Sequence, residues 1–299
     1  MRRIDTALPH LPAARSYPRP TTIRARDPGR DDCMTAHFPG PAFAAQAAAQ
    51  VDQAMRSLAQ RRNRHSAIHR MRKAIRRLRS LLALCRPGLG PETDVIDKGL
   101  RQLCVDLSDL RDAHVVVVTA SGLALDGGQD TWPAAVVQLA ARREKLLAKA
   151  LAADPEFASR RARLDTLAQA IAALPWHRLD DSDLAEGIAR SARRLVKAER
   201  KARQEPGADS SHHWRRRLRR LRMQYQVIRA ARKRQPSWKG PPRDPHRASI
   251  HALNRQSDRL GRIQDLHMLG THLKRIDVPP AVRKRMRDQL RAEIDRASR

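Results

Sequence analysis

The sequence predicts an all-α protein of two bundle-like halves, and three observations carry that prediction. From Ala42 onward, apolar residues recur with the period of a helix through most of the 299 residues. The β-branched run at 115–119 is the strongest strand-like signal, and it lies inside a longer helical pattern. Proline and glycine interrupt the pattern at spacings typical of loops between helices. We therefore expect a first half at 42–175 and a second half at 176–299, joined near residues 174–183.

Nine helices are predicted in chain order, and turn-forming residues separate most of them. Pro87-Gly88 and Gly90-Pro91 end the second helix, Gly127-Gly128 precedes the fourth, and Pro206-Gly207 ends the sixth. A further break, Gly240-Pro241-Pro242, follows the seventh. The predicted ranges are 42–60, 64–86, 92–123, 133–153, 156–173, 182–204, 211–234, 245–275 and 280–297.

Residues 1–41 differ from the rest of the chain, because they contain seven prolines and no helical period. The prolines are Pro9, Pro12, Pro18, Pro20, Pro28, Pro39 and Pro41. Such a composition is typical of an extended, disordered leader. Met34 is an alternative start of the chain. The aspartates of this segment argue against a transit peptide, so we place the leader outside the folded domain.

The balance of charge is strongly positive. The chain carries 61 Lys and Arg against 31 Asp and Glu, a formal net charge of +30, and 51 of the basic residues are arginine. Unneutralised like charge destabilises a compact state, so this excess indicates a polyanionic partner: nucleic acid, an anionic membrane or another polyphosphate. Aromatic residues make up only 3% of the chain, which is few for a protein that stacks the bases of single strands.

Cysteine usage and hydropathy indicate the compartment. Three cysteines without a CxxC pair argue against a disulfide framework and against a thiolate zinc site. No apolar run approaches the ~20 residues of a membrane helix, and the N-terminal segment lacks the apolar core of a signal peptide. We therefore expect a cytoplasmic protein that does not associate with membranes.

An internal repeat lies in the two most basic segments. HRMRKAIRRLRS, residues 69–80, aligns with HHWRRRLRRLRM, residues 212–223, with identity at six of twelve positions. On a helix, four basic residues of each copy lie within an arc of about 80°, and this arc adjoins the apolar face of the same helix. We call these two sets the basic stripes: His69, Arg72, Arg76 and Arg79 in the first copy, and His212, Arg215, Arg219 and Arg222 in the second.

The basic stripes have no acidic neighbours on their own helices. Neither Asp nor Glu occurs between Gln53 and Pro91 or between Ser210 and Arg243, so stabilising i,i+4 pairs cannot form. We expect the stripes to line a groove between packed helices and to bind an external anion. Seven residues span about 10 Å of helix axis, which suits a rod-like polyanion better than one phosphate ester. A solvated basic face is the alternative.

A weaker repeat follows each basic segment. Residues 100–116 align with residues 253–269, and Asp112 then coincides with Asp265. The shared leucines follow the helical period, so we expect them in the core. We expect each aspartate to anchor a basic helix through an ion pair rather than to take part in catalysis.

These residues resemble the CHAD family, the conserved histidine α-helical domain, over residues 42–299. The family pattern H-x-x-R-x-x-x-R-R-L-R-S, with L-G-x-x-R-D-x-x-V after it, reads here His69, Arg72, Arg76, Arg77, Leu78, Arg79, Ser80, then Leu107, Ser108, Arg111, Asp112 and Val115. The second copy reads His212, Arg215, Arg219, Arg222, then Leu260, Gly261 and Asp265. Ser108 stands where the family has glycine, Arg219 where it has lysine, and Met223 where it has tyrosine.

The resemblance implies both a fold and a ligand. The fold would be two four-helix bundles related by a pseudo-twofold axis, with a central basic groove or pore that binds inorganic polyphosphate. The family binds without catalysis, is targeted to polyphosphate granules, and works beside polyphosphate-metabolising proteins. The residues implied for the polyphosphate site are His69, Arg72, Arg76, Arg77, Arg79, Arg190, Arg194, Lys197, His212, Arg215, Arg219, Arg220 and Arg222.

Other functions find less support in the sequence. Non-sequence-specific nucleic-acid binding is the alternative, because electrostatics alone does not distinguish phosphodiester from phosphoanhydride chains. The phosphate-binding motif GxxxxGK[ST] and the acidic motif ExExK are absent, so we expect no enzyme. His65 and His69 have the i,i+4 spacing of a chelating pair but no acidic ligand in that turn, so we expect neither a metal nor a cofactor.

Overall fold

The structure is a computed structural model, and it describes residues 39–126, 131–240 and 247–298. Within these residues the secondary structure consists of ten α-helices and three single-turn 3₁₀ helices, with no strand. The all-α prediction is therefore confirmed. The predicted leader and the alternative start at Met34 lie outside the described residues, except that residues 40 and 41 open the first helix.

None of the ten helices, as far as the structure describes them, has the length and apolarity to span a membrane. The helices are α1 Gly40–Ala59, α2 Arg64–Leu89, α3 Glu92–Val105, α4 Ser108–Leu125, α5 Pro133–Ala153, α6 Ala158–Ala172, α7 Asp181–Gln204, α8 Ala208–Arg234, α9 Arg247–His272 and α10 Pro280–Ser298. The 3₁₀ turns are Pro155–Phe157, Trp176–Arg178 and Leu273–Arg275.

The single helix predicted at 92–123 is wrong, because α3 ends at Val105 and α4 begins at Ser108. In a continuous helix, the Cys104 carbonyl would accept a hydrogen bond from the amide four residues later. Instead, the Arg72 guanidinium of α2 donates to that carbonyl. The Ser108 hydroxyl donates to the Val105 carbonyl at 2.5 Å. Side chains thus replace backbone hydrogen bonds at the break.

α2 extends beyond its predicted end at residue 86. Pro87 lies in the last turn, and the helix ends at Leu89. Gly90 follows with φ +84°, a left-handed conformation that favours glycine, and its amide donates to the Arg86 carbonyl at 3.0 Å. The glycine, rather than the proline, therefore ends α2.

A capping box fixes the start of α7. The Asp180 side chain accepts from the Asp183 amide at 2.9 Å, and the Asp183 side chain accepts from the Asp180 amide at 3.1 Å. These two hydrogen bonds satisfy amides that a helix N-terminus leaves without partners. They fix where α7 begins, and thereby which of its residues face α8.

Two hydrophobic cores hold the helices together, and each draws on both predicted halves. The first core contains residues of α1, α2, α3 and α6, together with Leu184 of α7 and Ile228 of α8. The second core joins α4 and α5 to α9 and α10, with Val116 and Leu266 among its fully buried residues. The predicted boundary at residue 175 separates two halves of the sequence, but each hydrophobic core contains residues from both halves.

α2 and α8 cross at the last aligned pair of the repeat, Ser80 and Met223. Ser80 Oγ donates to Met223 Sδ at 3.6 Å, and Gln224 Nε2 donates to the Ser80 carbonyl at 3.2 Å. Ser80 and Met223 are equivalent positions of the repeat, 143 residues apart. A twofold axis between two helices brings equivalent residues into contact. The crossing therefore supports the pseudo-twofold relation, which stays a prediction, as do the two four-helix bundles.

Candidate functional site

The basic stripes of α2 and α8 converge at this crossing. Arg76 of the first stripe lies close enough to Arg219 of the second for their charges to interact. Arg215 of α8 and Arg111 of α4 act electrostatically on both of them. Arg72, which neighbours Arg76 and Arg111, completes the group. We call these five residues the arginine cluster, and all five side chains are partly shielded from solvent.

Burial and mutual repulsion perturb the arginine cluster. Burial, with the charges of Arg72 and Arg111, lowers the pKa of Arg76 to about 10. Burial, with the charges of Arg76 and Arg215, lowers the pKa of Arg219 to about 9. Both groups stay charged at neutral pH. The protein therefore holds like charges together at a cost in folding free energy.

The arginine cluster has more hydrogen-bond donors than acceptors. The Nε atoms of Arg72, Arg76, Arg111 and Arg215 are buried and make no hydrogen bond with the residues that the structure describes. A buried donor without a partner is costly, and a guanidinium offers five donors in a planar fork. A ligand with several acceptor oxygens along its length matches this excess.

Carboxylates offset the arginine cluster only in part. Arg111 Nη1 donates to Asp112 at 2.8 Å, and Arg111 Nη2 lies 3.6 Å from Asp265 Oδ1. Burial raises the pKa of Asp265, although the charges of Arg111 and Arg215 oppose that rise. Both aspartates pair with Arg111 of α4 rather than with a residue of either basic stripe, so the expectation that each anchors a basic helix through an ion pair is wrong.

Arg111 is the member of the arginine cluster that the sequence analysis did not include in the site. It belongs to neither basic stripe, and its place in the cluster follows from the packing of α4 against α2 and α9. The available signal was the Arg-Asp pair of the family pattern. In the weaker repeat, Gln264 occupies the position equivalent to Arg111, so one half contributes a cation there and the other an amide.

In the second half, the side-chain amide of Gln264 binds Arg215. Arg215 Nη1 donates to Gln264 Oε1, and Gln264 Nε2 faces His212 Nδ1. A Cβ atom at Gly261 would lie 2.5 Å from Arg215 Nη2, so the guanidinium occupies the space that a side chain would need. Arg215 therefore packs on an unbroken α9, whereas Arg72 binds the backbone at the break between α3 and α4.

The ends of the basic stripes have acidic partners from other helices. Arg79 makes two hydrogen bonds of 2.8 Å with Asp97 of α3. Arg222 Nη1 lies 3.5 Å from Asp258 of α9. The expectation that nothing offsets the stripes is therefore wrong at their ends, because acids distant in sequence reach them. In the middle of each basic stripe, the arginines still outnumber their acidic partners.

Arg220 and Arg194 lie beside the stripe end at Arg79. Burial lowers the pKa of Arg220 to about 10, although Asp97 opposes the change, and Arg79, Arg217 and Arg194 add repulsion. Arg194 is exposed on α7. Both predicted site residues thus stand at the end of the first basic stripe, beside Arg79.

Three other predicted site residues are not brought to the arginine cluster by any contact that the structure describes. Arg190 donates to Glu186 at 2.6 Å, one turn earlier on α7. Lys197 is exposed on the same helix. Arg77 is half-buried on α2 and makes no ion pair within the described ranges.

The histidines have separate environments. His69 lies on α2 with much of its side chain exposed. Partial desolvation of its ring, with the charges of Arg76 and Arg111, lowers the pKa of His69. Burial also lowers the pKa of His212, with Arg216 and Arg215 contributing. His65 Nε2 lies 3.1 Å from Glu144, and its ring stacks on His114 with centroids 5.8 Å apart. His65 therefore has its described partners on α4 and α5.

A fold made only of helices, with two repeated basic segments crossing at a buried arginine cluster, defines a class of small helical domains with inward-facing cations. The family model of the CHAD domain matches residues 42–274. The chain therefore belongs to the CHAD family, and the resemblance found in the sequence is confirmed.

Solved structures share this fold. The crystal structure of the CHAD domain from the plant Ricinus communis is similar with a TM-score of 0.58 and 19% identity, over 91% of each chain. PptA from Streptomyces chartreusis is similar with a TM-score of 0.63 and 17% identity, over 87% of this chain and 96% of that chain. Comparison with curated protein sequences gives no match.

Proposed function

We propose that this protein binds inorganic polyphosphate at the arginine cluster and does so without catalysis. The convergence of Arg76 and Arg219, from two repeats, on one buried position is the observation that carries the proposal. A linear polyphosphate carries a charge and free acceptor oxygens at every unit, and these match planar guanidinium groups placed along crossing helices. The properties implied by the CHAD family point to the same ligand.

Several features support binding rather than catalysis. The two aspartates nearest the arginine cluster pair with Arg111, so they act as counter-ions. The chain carries neither of the phosphate-handling motifs sought above. A binding protein of this kind would act in the cytoplasm, at polyphosphate granules, beside polyphosphate-metabolising proteins.

Competition at equal salt tests the ligand, because salt dependence alone is steep for every polyanion. The purified protein is loaded with labelled polyphosphate of defined length and titrated with charge-matched RNA or duplex DNA, and the reverse titration follows. We expect polyphosphate to displace nucleic acid and to resist displacement by it. Preferential binding of RNA or DNA would refute the proposal in favour of the nucleic-acid alternative.

Charge reversal tests the site. Arg72→Glu with Arg76→Glu, and Arg215→Glu with Arg219→Glu, should weaken polyphosphate binding about equally, since both stripes line one site. The remaining arginines can pair with the new carboxylates, so the variants should fold. Arg285→Glu with Arg287→Glu, on the exposed side of α10, is the control with the same change of charge. Loss of binding from one stripe only would contradict a shared site.

A further inference from the structure

The groove between α7 and α8 carries cations that lead away from the arginine cluster. The charges of Arg217 and Arg194 act on Arg220, which also neighbours Arg79 at the end of the first stripe. Farther along α8, the charges of Arg217 and Lys201 act on His213. We call Arg194, Lys201, His213, Arg217 and Arg220 the α7/α8 basic groove. Its nearest link to the first basic stripe is Arg79, the residue that ends that stripe.

Arg217 is the central residue of the α7/α8 basic groove, and among the residues that the structure describes no carboxylate pairs with it. Its side chain is half-buried, and its Nε lies 3.4 Å from His213 Nε2. Burial, with the charges of Arg194 and Arg216, lowers the pKa of Arg217. A half-buried arginine beside other cations weakens the fold unless an external anion accompanies it.

The acids of α7 do not reach Arg217, because they pair along their own helix. Glu186 accepts from Arg190 at 2.6 Å, and Glu199 accepts from Arg203 at 2.8 Å. Lys201 has an exposed partner in Glu205 at 3.5 Å. The excess of positive charge in the α7/α8 basic groove is therefore concentrated at Arg194, Arg217 and Arg220.

The first half lacks the central cation of this groove. The repeat places Ala74 where the second half has Arg217, and Ala74 is 2% exposed within the first hydrophobic core. Ala47 and Ala54 of α1 are fully buried in the same core. The interface between α1 and α2 is therefore closed by small apolar residues, whereas the equivalent interface between α7 and α8 carries charge.

We propose that the α7/α8 basic groove is an extension subsite for long polyphosphate, through which the polymer leaves the arginine cluster on one side only. The inference rests on the proposed function and adds a direction and a length dependence to it. His213 and Arg220 are seven residues apart, about 10 Å along the helix axis. A chain that fills only the arginine cluster does not reach Arg217, and a longer chain does.

A length-resolved binding experiment tests the subsite. Dissociation constants of the full-length chain for tripolyphosphate and for a polymer of many tens of phosphates are measured across a salt series. The variant Arg194→Ala with Arg217→Ala makes the second half resemble the first. At 0.1 M salt, loss of two phosphate contacts should weaken binding of the long polymer about 25-fold and flatten the salt slope by about 1.4. Binding of tripolyphosphate should change less than about twofold, because Arg194 and Arg217 do not contact the short ligand and salt screens their charges over the distance that separates them from it.

Arg56→Ala with Arg70→Ala is the matched control, because it removes the same charge from exposed positions on α1 and α2. It should leave both dissociation constants within about twofold, as expected for screened distant charges. The exposed single change Arg194→Ala should give about half of the slope change even if the double variant folds poorly.

Each other outcome overturns a defined statement. Equal weakening of short and long ligands, no weakening of either, or an equal effect of the control would each refute the extension subsite while leaving wild-type binding intact. A wild-type chain that binds neither polyphosphate would refute the proposed function itself, and the extension subsite with it.

Discussion

Replacing Arg219 by methionine is expected to stabilise the unliganded protein and to weaken polyphosphate binding. Burial and neighbouring arginines lower the pKa of this residue from its ordinary value to about 9. At ~1.4 kcal/mol per pKa unit, this shift sets an upper limit of about 5 kcal/mol on the cost of the charge. Because the side chain is only partly buried, solvent screening should leave about 1–3 kcal/mol.

Urea unfolding in phosphate-free buffer measures the change. The free energy of unfolding of Arg219→Met should exceed that of wild type by about 1–3 kcal/mol, or roughly 2–10 °C in Tm for a chain of this size. Arg229→Met on the exposed side of α8 removes the same charge outside the arginine cluster and should change stability by less than about 0.5 kcal/mol. A less stable Arg219→Met protein would refute the view that this charge is retained for a ligand.

The pH dependence of that difference follows from the direction of the pKa shift. The pKa of Arg219 is lower in the folded state, because burial disfavours the charge, so the unfolded chain binds the proton more tightly. The destabilisation is therefore fully present below about pH 9 and is relieved as pH rises above that value. The stability gap between Arg219→Met and wild type should narrow in titrations above pH 9.

Three further changes have expected outcomes. Gly261→Ala would displace the Arg215 guanidinium, so polyphosphate affinity measured by fluorescence anisotropy should fall, while Tm should hold or rise because alanine favours a helix by about 1 kcal/mol. Asp97→Asn frees Arg79, so affinity should rise and the free energy of unfolding should fall by about 1 kcal/mol. The pKa of His69 is lowered by burial and nearby arginines in the free protein, so a bound anion should raise it; calorimetry in two buffers should detect proton uptake near pH 6, reduced in His69→Asn.

Controls separate these effects from general damage to the fold. Gly122→Ala on α4 adds a Cβ with no atom within 4 Å, so it should leave affinity unchanged. Unchanged affinity of Gly261→Ala would show that Arg215 does not contact the ligand, and weaker binding by Asp97→Asn would show that the acid positions Arg79 for it. Proton uptake equal in His69→Asn and wild type would assign the titration to another group.

Local signals accounted for most of the helices. The breaks at Gly90 and at Pro206-Gly207 depend on the backbone preferences of the residues that form them, so a single sequence reveals them. The break between α3 and α4 escaped prediction because the side chain that binds the carbonyl there, Arg72, comes from another helix. A contact between residues distant in sequence produces no periodic pattern from which it could be predicted.

The same distinction explains the site. The two basic stripes are periodic, and they were found from the sequence. Arg111 is a single residue of α4, and only the packing of that helix brings it to Arg76 and Arg219. Asp97 and Asp258, which cover the stripe ends, also come from helices whose neighbours the sequence did not specify.

The sharing of both cores between the halves affects how the chain can assemble during synthesis. When residue 175 leaves the ribosome, α4 and α5 still lack the apolar faces of α9 and α10 that complete their core. The contact between α2 and α8 at Ser80 likewise cannot form until Met223 has been translated, 143 residues later. Ordering of the arginines is therefore a late event in biogenesis, and the nascent first half is the species most exposed to aggregation.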